Sequence, residues 1–459
     1  MDFEGKKVLV IGAGKSGVAV SRFVAAKGAQ VVLTDHKDDA SFEPPLSSLV
    51  PPEVELVLGR YPEVVEGSFD LVIVSPGVPL TITPVARARE FGIPVTGELE
   101  LAYSLARAPI VAITGTNGKT TTTTLVGQIF ADAGIKTLVA GNIGKPLITE
   151  VEKYGAEDLI VLEVSSFQLE TTRAFRPRVA AILNITPDHL DRHGSMQGYV
   201  AAKARIFANQ TGDDYTVLNY DDLLTRDLAS LCPGKVIFFS RRHNLEEGVI
   251  LHNGYIAVRE KEKVYPVLPV RALRIPGAHN LENALAAAAC AWVLGIREAQ
   301  MAATLRHFSG VPHRLEFVAE INGVKYVNDS KGTNPEASIK ALEAYDQPIV
   351  LLAGGRNKGN DFTAFARVVK EKVRLLVVLG ECAREIEAAA RAAGVKEIIR
   401  AGDFQDAVFK AHRAARPGEI VLLSPACASW DMFKNYEERG EVFKQLVHEL
   451  ILREMAGRQ

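Results

Sequence analysis

An apolar run of strand length, "PIVAIT" (109–114), meets a helical segment through Gly115-Thr116-Asn117-Gly118-Lys119-Thr120. In such a turn, backbone N–H groups at a helix N-terminus converge on one point and attract an anion. A lysine beside them neutralises the outer phosphates of a nucleotide, and the following hydroxyl ligates Mg²⁺. Lys119 and Thr120 have those types at that spacing, and Thr121 follows them. The full pattern G-x-x-x-x-G-K-[ST] is not met, because Ile113 stands at its first glycine. A plain turn with a surface lysine is the simpler alternative, yet the threonine run 120–124 is odd for a purely structural helix start.

Metal ligands are expected from neighbouring strand ends. Glu163 closes the apolar run of "DLIVLEV", where a carboxylate is expensive unless a cation or a partner meets it. "NITPDHLDRHG" places Asp188, His189, Asp191 and His193 after another apolar run. Magnesium prefers oxygen ligands, so His189 read alone fits loop packing as well as ligation. Lys203, in "YVAAKARIF", reads on its own as a solvated helix lysine.

A second glycine turn, Gly12-Ala13-Gly14-Lys15-Ser16-Gly17, follows "KVLVI", and Asp35 closes "VVLTD" about twenty residues later, as in a dinucleotide-binding unit. The same physics serves any diphosphate, including that of a nucleotide-sugar. Local sequence leaves both readings open. Lys15, Ser16 and the turn Ser75-Pro76-Gly77 are further donors.

The elements behind these residues are apolar runs alternating with helix-length segments, the pattern of parallel α/β sheets. One series, "KVLVIG", "VVLTD", "VELVLG" and "DLVIVSPG", fades near Gly97. A second runs from "PIVAITG" through "KTLVAG", "DLIVLEVS", "VAAILNI", "YTVLN" and "KVIFFS" to a hairpin, "GVILHNGYIAVRE", and an alanine-rich helix at 280–294. A third, "PIVLLAGG", "RLLVVLG", "EIIRAG" and "EIVLLSPA", ends the chain. At about 150 residues each, 459 residues make about three domains. The fold class is therefore α/β, three consecutive domains each with a mainly parallel sheet flanked by helices: Rossmann-like first and third, P-loop ATPase-like between.

With 47% hydrophobic and 24% charged residues and a net charge of −2, the chain has no basic field for nucleic acid or an anionic membrane. Its N-terminus enters a strand without a signal-peptide pattern, and its longest apolar stretch, 284–295, is too short to span a bilayer. Cys232, Cys290, Cys382 and Cys427 are scattered, which favours reduced, mostly buried thiols and a cytoplasmic protein.

The series "TGTNGKTTT", "GNIG" (141–144), "LEVSSFQL", "NITPDHLDRH", "YVAAKARI", "HNLEN" (279–283), "PHRLE" (312–316) and "NDSKGTNPEA" (328–337) resembles the Mur ligases, ATP-dependent amide-forming enzymes of bacterial cell-wall synthesis. The tail "LLSPACASWDMFKNYEERGEVF" (422–443) looks most like the D-glutamate-adding branch. The resemblance implies domains at 1–97 for a UDP substrate, 98–310 for ATP and 311–459 for the amino acid. It implies ATP converted to ADP, an acyl-phosphate intermediate, and UDP-N-acetylmuramoyl-L-alanine and D-glutamate as substrates of a monomeric enzyme. By resemblance Lys119, Lys203, His189 and Glu163 are catalytic. Thr120, Glu163, His189 and a carbamylated Lys203 hold two Mg²⁺ ions. Asn283, Arg314 and Asp329 hold the nucleotide. Gly14, Lys15, Ser16, Asp35, Ser75, Gly77, Asn142 and Ser165 hold the UDP substrate. Thr333, Lys358, Ser429 and Tyr436, with Lys331 close by, hold the amino acid. His36-Lys37 replaces the Thr-Arg expected after Asp35 in relatives. Folylpolyglutamate synthetases share a similar loop but lack the first domain. A nicotinamide oxidoreductase with an accessory ATPase domain and a non-catalytic P-loop switch are the alternatives of other classes.

Overall fold

A computed structural model describes residues 3–456 apart from 43, 276 and 358. Its strands form three sheets. The first contains β1 (Lys7–Ile11), β2 (Gln30–Asp35), β3 (Glu55–Leu58), β4 (Leu71–Val74) and β5 (Val95–Gly97), all parallel in the order β3-β2-β1-β4-β5. That is a doubly wound order, with its switch point between β1 and β4. Strands buried on both faces need no polar alternation, and Val8, Leu9, Val10 and Ile11 of β1 are all fully buried.

The second sheet contains β6 (Ile110–Thr114), β7 (Thr137–Gly141), β8 (Leu159–Glu163), β9 (Val179–Ile182), β10 (Tyr215–Asn219), β11 (Lys235–Ser240), β12 (Glu247–His252), β13 (Tyr255–Glu260) and β14 (Lys263–Pro269). Its order is β14-β13-β12-β11-β10-β9-β6-β8-β7, so β6 lies between β9 and β8. The Asn253-Gly254 hairpin forms as the sequence predicts, with Asn253 at φ 48 and Gly254 at φ 77. Strand β14 is an addition: "KVYPVLP" pairs antiparallel with β13, and its proline-interrupted edge position hides it from a periodicity search.

The third sheet contains β15 (Glu316–Ile321), β16 (Val324–Asn328), β17 (Ile349–Gly354), β18 (Val373–Leu379), β19 (Ile398–Arg400) and β20 (Ile420–Leu423), in the order β15-β16-β20-β17-β18-β19. The hairpin β15–β16 also escapes the sequence reading, although Asn322-Gly323 is a strong turn signal. β15 is half exposed and its register slips between Phe317 and Ala319, which blurs the alternation.

The chain forms two compact units, Met1–Ala272 with Glu282–Arg306 and Leu273–Leu281 with His307–Gln459. The first holds two sheets and the second holds one. The alanine-rich helix is Ala278–Trp292, and Ala284 through Ala291 are fully buried, where small side chains permit close packing. Among the described residues no helix is long and apolar enough to cross a membrane.

Candidate active site

In the second sheet the crevice outside the carboxyl ends of β6, β8 and β9 collects the residues singled out by chemistry, the place where open parallel sheets bind ligands. The loop 115–118 leaves β6 and enters the helix Lys119–Asp132. Gly118 caps that helix at φ 84, a left-handed conformation that favours glycine. A Cβ there would lie 2.2 Å from Asn283 Oδ1, so the nucleotide candidate Asn283 sits directly against the loop. Asn283 also accepts a hydrogen bond from Thr122 Oγ1 at 3.3 Å.

Asn184, which the sequence reading missed, clamps this loop. Its Oδ1 accepts from Asn117 N at 2.8 Å, its Nδ2 donates to Asn117 O at 3.1 Å, and its carbonyl accepts from Thr116 N at 2.9 Å. The signal was its place at the end of β9, one strand from β6. Thr116 Oγ1 bonds Thr186 and lies 3.3 Å from the Tyr199 hydroxyl. Asn184 takes up the N–H groups of Thr116 and Asn117, and a loop held on both sides fixes the start of the helix behind it, which is electrostatic preorganisation.

Two lysines converge on one carbonyl. Lys119 Nζ donates to Gly115 O at 2.9 Å and to Thr116 O at 2.8 Å, and Lys203 Nζ donates to the same Gly115 O at 2.9 Å. Lys203 is not the solvated helix lysine of its local sequence: it is 1% exposed, inside the helix Met196–Ala204, with its ammonium 4.5 Å from the Tyr199 ring centroid. Burial, and then the charge of Lys119, bring its pKa down to about 7. Near neutral pH much of Lys203 is therefore an uncharged amine.

Glu163 ends β8 in register with Ile113 and Gly141. Its Oε1 accepts from Asn142 Nδ2 at 3.0 Å, while Oε2 is buried without a hydrogen-bond partner. Leaving a buried acceptor unmet costs about 1–3 kcal/mol, and more for a charged one. A cation removes that cost. Among the described residues no three His, Cys, Asp or Glu side chains cluster tightly enough to hold a metal alone. One carboxylate with the Thr120 hydroxyl is the sparse donor set that suits Mg²⁺ carrying its own waters and phosphate oxygens. These residues fit that ion.

His189 is half exposed at φ 51, 3.4 Å from Asp188 Oδ2, with its ring 4.8 Å from that of Phe167. Its neighbour His193 is buried, bonds Ser166 Oγ at 3.0 Å and faces Glu170 at 3.3 Å. Burial lowers its pKa, and its ring packs against Phe167 and Tyr199. Ser165 is committed to a capping box: its hydroxyl donates to Gln168 Oε1 and accepts from Gln168 N.

In the first sheet, Gly12 and Gly17 are glycines for the fold's own reasons. A Cβ on Gly12 would meet Val78 at 2.7 Å, and one on Gly17 would meet the Gly12 carbonyl at 1.8 Å. Gly14 differs, because a Cβ there would meet nothing within 4 Å. It caps the helix Lys15–Ala26 and borders a cavity of about 740 Å³ that Lys15 and Lys145 also line. Ser75 Oγ donates to the Gly12 carbonyl, and Gly77 is exposed beside it. Asp35 accepts from Ala13 N at 2.8 Å and Lys37 N at 3.0 Å, with His36 Nδ1 at 3.0 Å, so its carboxylate holds the glycine turn in place. Ser16 is half-buried in the first helical turn.

In the second unit, Asp329 is buried, its oxygens accepting from Ser424 Oγ at 2.7 Å and Leu315 N at 3.3 Å. Burial pushes its carboxyl up to about 7 against the opposing pull of Ser424 and Arg314. Ser429 is buried, Thr333 is half-buried, and the Tyr436 ring lies 5.7 Å from the Lys331 ammonium. Lys358 lies outside the described residues.

Three α/β sheets in series, with a clamped phosphate loop, paired lysines and a lone carboxylate at the second, define a three-domain P-loop enzyme. The chain matches the Mur ligase MurD-like N-terminal domain over residues 6–97, the Mur ligase middle domain over 113–291 and the Mur ligase glutamate ligase domain over 313–427. It is 61% identical over 446 residues to the UDP-N-acetylmuramoylalanine–D-glutamate ligase of Pelotomaculum thermopropionicum, covering 97% of this chain and 98% of that one. The enzyme of the same name from Alkaliphilus metalliredigens is 48% identical over 452 residues, 98% and 99% of the two chains. Among solved structures, the UDP-N-acetylmuramate–alanine ligase of Thermotoga maritima shares the fold with a TM-score of 0.60 at 20% identity, over 97% of this chain and 99% of that one. The chain belongs to the Mur ligase family, and it is a ligase.

Gly14 supplies a test of the first sheet. Gly14→Val leaves the fold intact, since the space is open; if this turn holds a UDP-sugar acid, the variant removes its measurable binding in calorimetry. NADH gives no heat with either protein; tight NADH binding lost in Gly14→Val would return the turn to a dinucleotide role.

Proposed function

We propose that this ligase joins D-glutamate to UDP-N-acetylmuramoyl-L-alanine, using ATP to convert the substrate's terminal carboxylate into an acyl phosphate. The observation that carries the reading is the convergence of Lys119 and Lys203 on the Gly115 carbonyl, with a buried, partnerless carboxylate oxygen of Glu163 at the end of the neighbouring strand. A carboxylate is a poor electrophile, and phosphorylating it brings anions together, so the site must supply positive charge and fixed donors. Lys119 and the N–H groups at the start of its helix hold the outer phosphates, Asn283 the adenine, and Arg314 and Asp329 the rest of the nucleotide. Thr120 and Glu163 hold one Mg²⁺; His189 and Lys203 hold a second. Bound magnesium screens the phosphate charge and polarises the transferred phosphoryl group.

Lys203 takes part as a carbamate. Its uncharged amine attacks the carbon of CO₂, releasing a proton and turning a cation into an anionic oxygen donor. The low pKa of the buried amine supports this step. Asn142, already bonded to Glu163, orients the reacting carboxylate, with Ser165 next to it. Gly14, Lys15, Ser16, Ser75 and Gly77 hold the diphosphate, and Asp35 supports them through the turn. Thr333, Lys358, Ser429 and Tyr436 receive the amino acid. The domain limits 1–97, 98–310 and 311–459 follow the same assignment. The enzyme acts as a monomer in the cytoplasm, where ATP is available.

ADP release measured with the UDP substrate and a panel of D- and L-amino acids tests the reading. Release that requires both the UDP substrate and D-glutamate is expected. AMP with pyrophosphate, or release indifferent to the amino acid, would refute it.

A further inference from the structure

Three strand exits of the third sheet meet at a pair of sulfurs. Cys382 caps the helix Ala383–Ala393 after β18, and Cys427 follows β20. Both side chains are buried, and their Sγ atoms are 2.9 Å apart. Around them the exits are cross-tied. Cys382 N donates to Gly355 O at 2.9 Å just after β17, and Arg356 and Ala428 exchange N–H···O bonds of 2.9 and 3.1 Å. Asp431 accepts from Glu381 N at 3.1 Å. Ala426, beside Cys427, is held at φ 58, a left-handed conformation that a non-glycine residue keeps only when its surroundings impose it. The short turn 426–431 is thus anchored at both ends and contains Ser429.

We propose that Cys382 and Cys427 form a reversible disulfide whose redox state tunes how this turn receives the amino-acid substrate. The disulfide is independent of the functional reading; its effect on the substrate rests on the placement of Ser429 in the amino-acid pocket. The co-reactant is hydrogen peroxide. A Cys382 thiolate attacks one peroxide oxygen, the O–O bond breaks, and hydroxide leaves and takes up a proton, so Cys382 becomes a sulfenic acid. The Cys427 sulfur then attacks the Cys382 sulfur. The S–S bond forms, the S–O bond breaks, and the Cys427 proton leaves with the oxygen as a second water. Two thiols are oxidised and one peroxide is reduced to two waters. Contact with Cys382 and burial both hold the Cys427 thiol protonated, so Cys427 is not the first nucleophile. Burial also means that peroxide enters only through local opening, so the reaction is slow against that of exposed thiolates. The bond closes a loop between residues 382 and 427, which restricts the unfolded chain.

The full chain is incubated with hydrogen peroxide, quenched with catalase, unfolded and alkylated with N-ethylmaleimide before mass spectrometry. Alkylation of Cys232 and Cys290 alone is expected, with a cross-linked peptide joining Cys382 to Cys427 and all four thiols restored by dithiothreitol. Full alkylation after peroxide, or oxygen adducts on single cysteines without the cross-link, would overturn the proposal. In the oxidised enzyme the KM for the amino acid rises about fivefold while that for the UDP substrate stays put, and dithiothreitol reverses the change. Cys382→Ser keeps basal activity and loses the response; Cys427→Ser serves if the first variant fails to fold. A cross-linked enzyme with an unchanged amino-acid KM overturns the regulatory claim. The placement of Ser429 is read separately, from the amino-acid KM of Ser429→Ala in reduced protein.

Discussion

Lys203→Ala lowers turnover by about three orders of magnitude while circular dichroism and the melting profile stay close to those of the parent. The loss follows from chemistry and not from packing. Lys203 makes one hydrogen bond, to a carbonyl that Lys119 also holds, so the loop keeps a cation when Lys203 is gone. On the proposed function, what disappears is the group that becomes an anionic oxygen ligand. A short carboxylic acid in the buffer has the shape and charge of the missing carbamate, and it restores part of the activity. The same account fixes a pH dependence. With a pKa of about 7, Lys203 is roughly half uncharged at pH 7 and about one-tenth uncharged at pH 6. Lowering the pH protonates the amine and withdraws the nucleophile, so CO₂-dependent activation of CO₂-depleted enzyme falls from pH 8 to pH 6. Full activity in Lys203→Ala, or activation that is flat across this range, would return Lys203 to a buried structural lysine.

Glu163→Gln costs about two orders of magnitude in kcat/KM and shifts the Mg²⁺ requirement upward by about tenfold. The amide keeps an oxygen to accept from Asn142, so the β7–β8 register at Gly141 is preserved. It replaces the unmet Oε2 by a donor and removes a buried charge, so thermal stability holds or rises. That split between stability and activity distinguishes a metal ligand from a structural carboxylate. A magnesium titration of the variant reads it, and an unshifted curve would remove Glu163 from the metal site.

The phosphate loop and the strand ends around it are legible in the sequence because their chemistry is local: glycines, a lysine and a hydroxyl in one run, with strand and helix on either side. Parallel strands buried on both faces announce themselves as apolar runs, so most of the three sheets follow directly. Edge strands do not, since β14 is broken by prolines and β15 is half exposed. The burial of Lys203 is a tertiary fact. In sequence it is a solvated helix lysine, and in the fold the loop 115–118 and the Tyr199 ring meet its ammonium. Asp35 is the converse case. Its spacing from the glycine turn matches a ribose-binding acid, yet the folded carboxylate holds the turn's own backbone at Ala13. The clamp by Asn184 follows only from strand order, because it joins β9 to β6, neighbours in space but far apart along the chain. Resemblance alone assigns Ser165 to the UDP substrate, and in the fold its hydroxyl is engaged by the capping box with Gln168.

The central claim is that the carboxylate of the UDP substrate is phosphorylated before the amine attacks. The direct measurement labels that terminal carboxylate with a heavy oxygen isotope and follows the label by mass spectrometry of the released phosphate. Phosphorylation of the carboxylate followed by amine attack carries one labelled oxygen from the carboxylate into inorganic phosphate for each amide formed. Unlabelled phosphate, with both labelled oxygens retained in substrate or lost to water, would contradict the account.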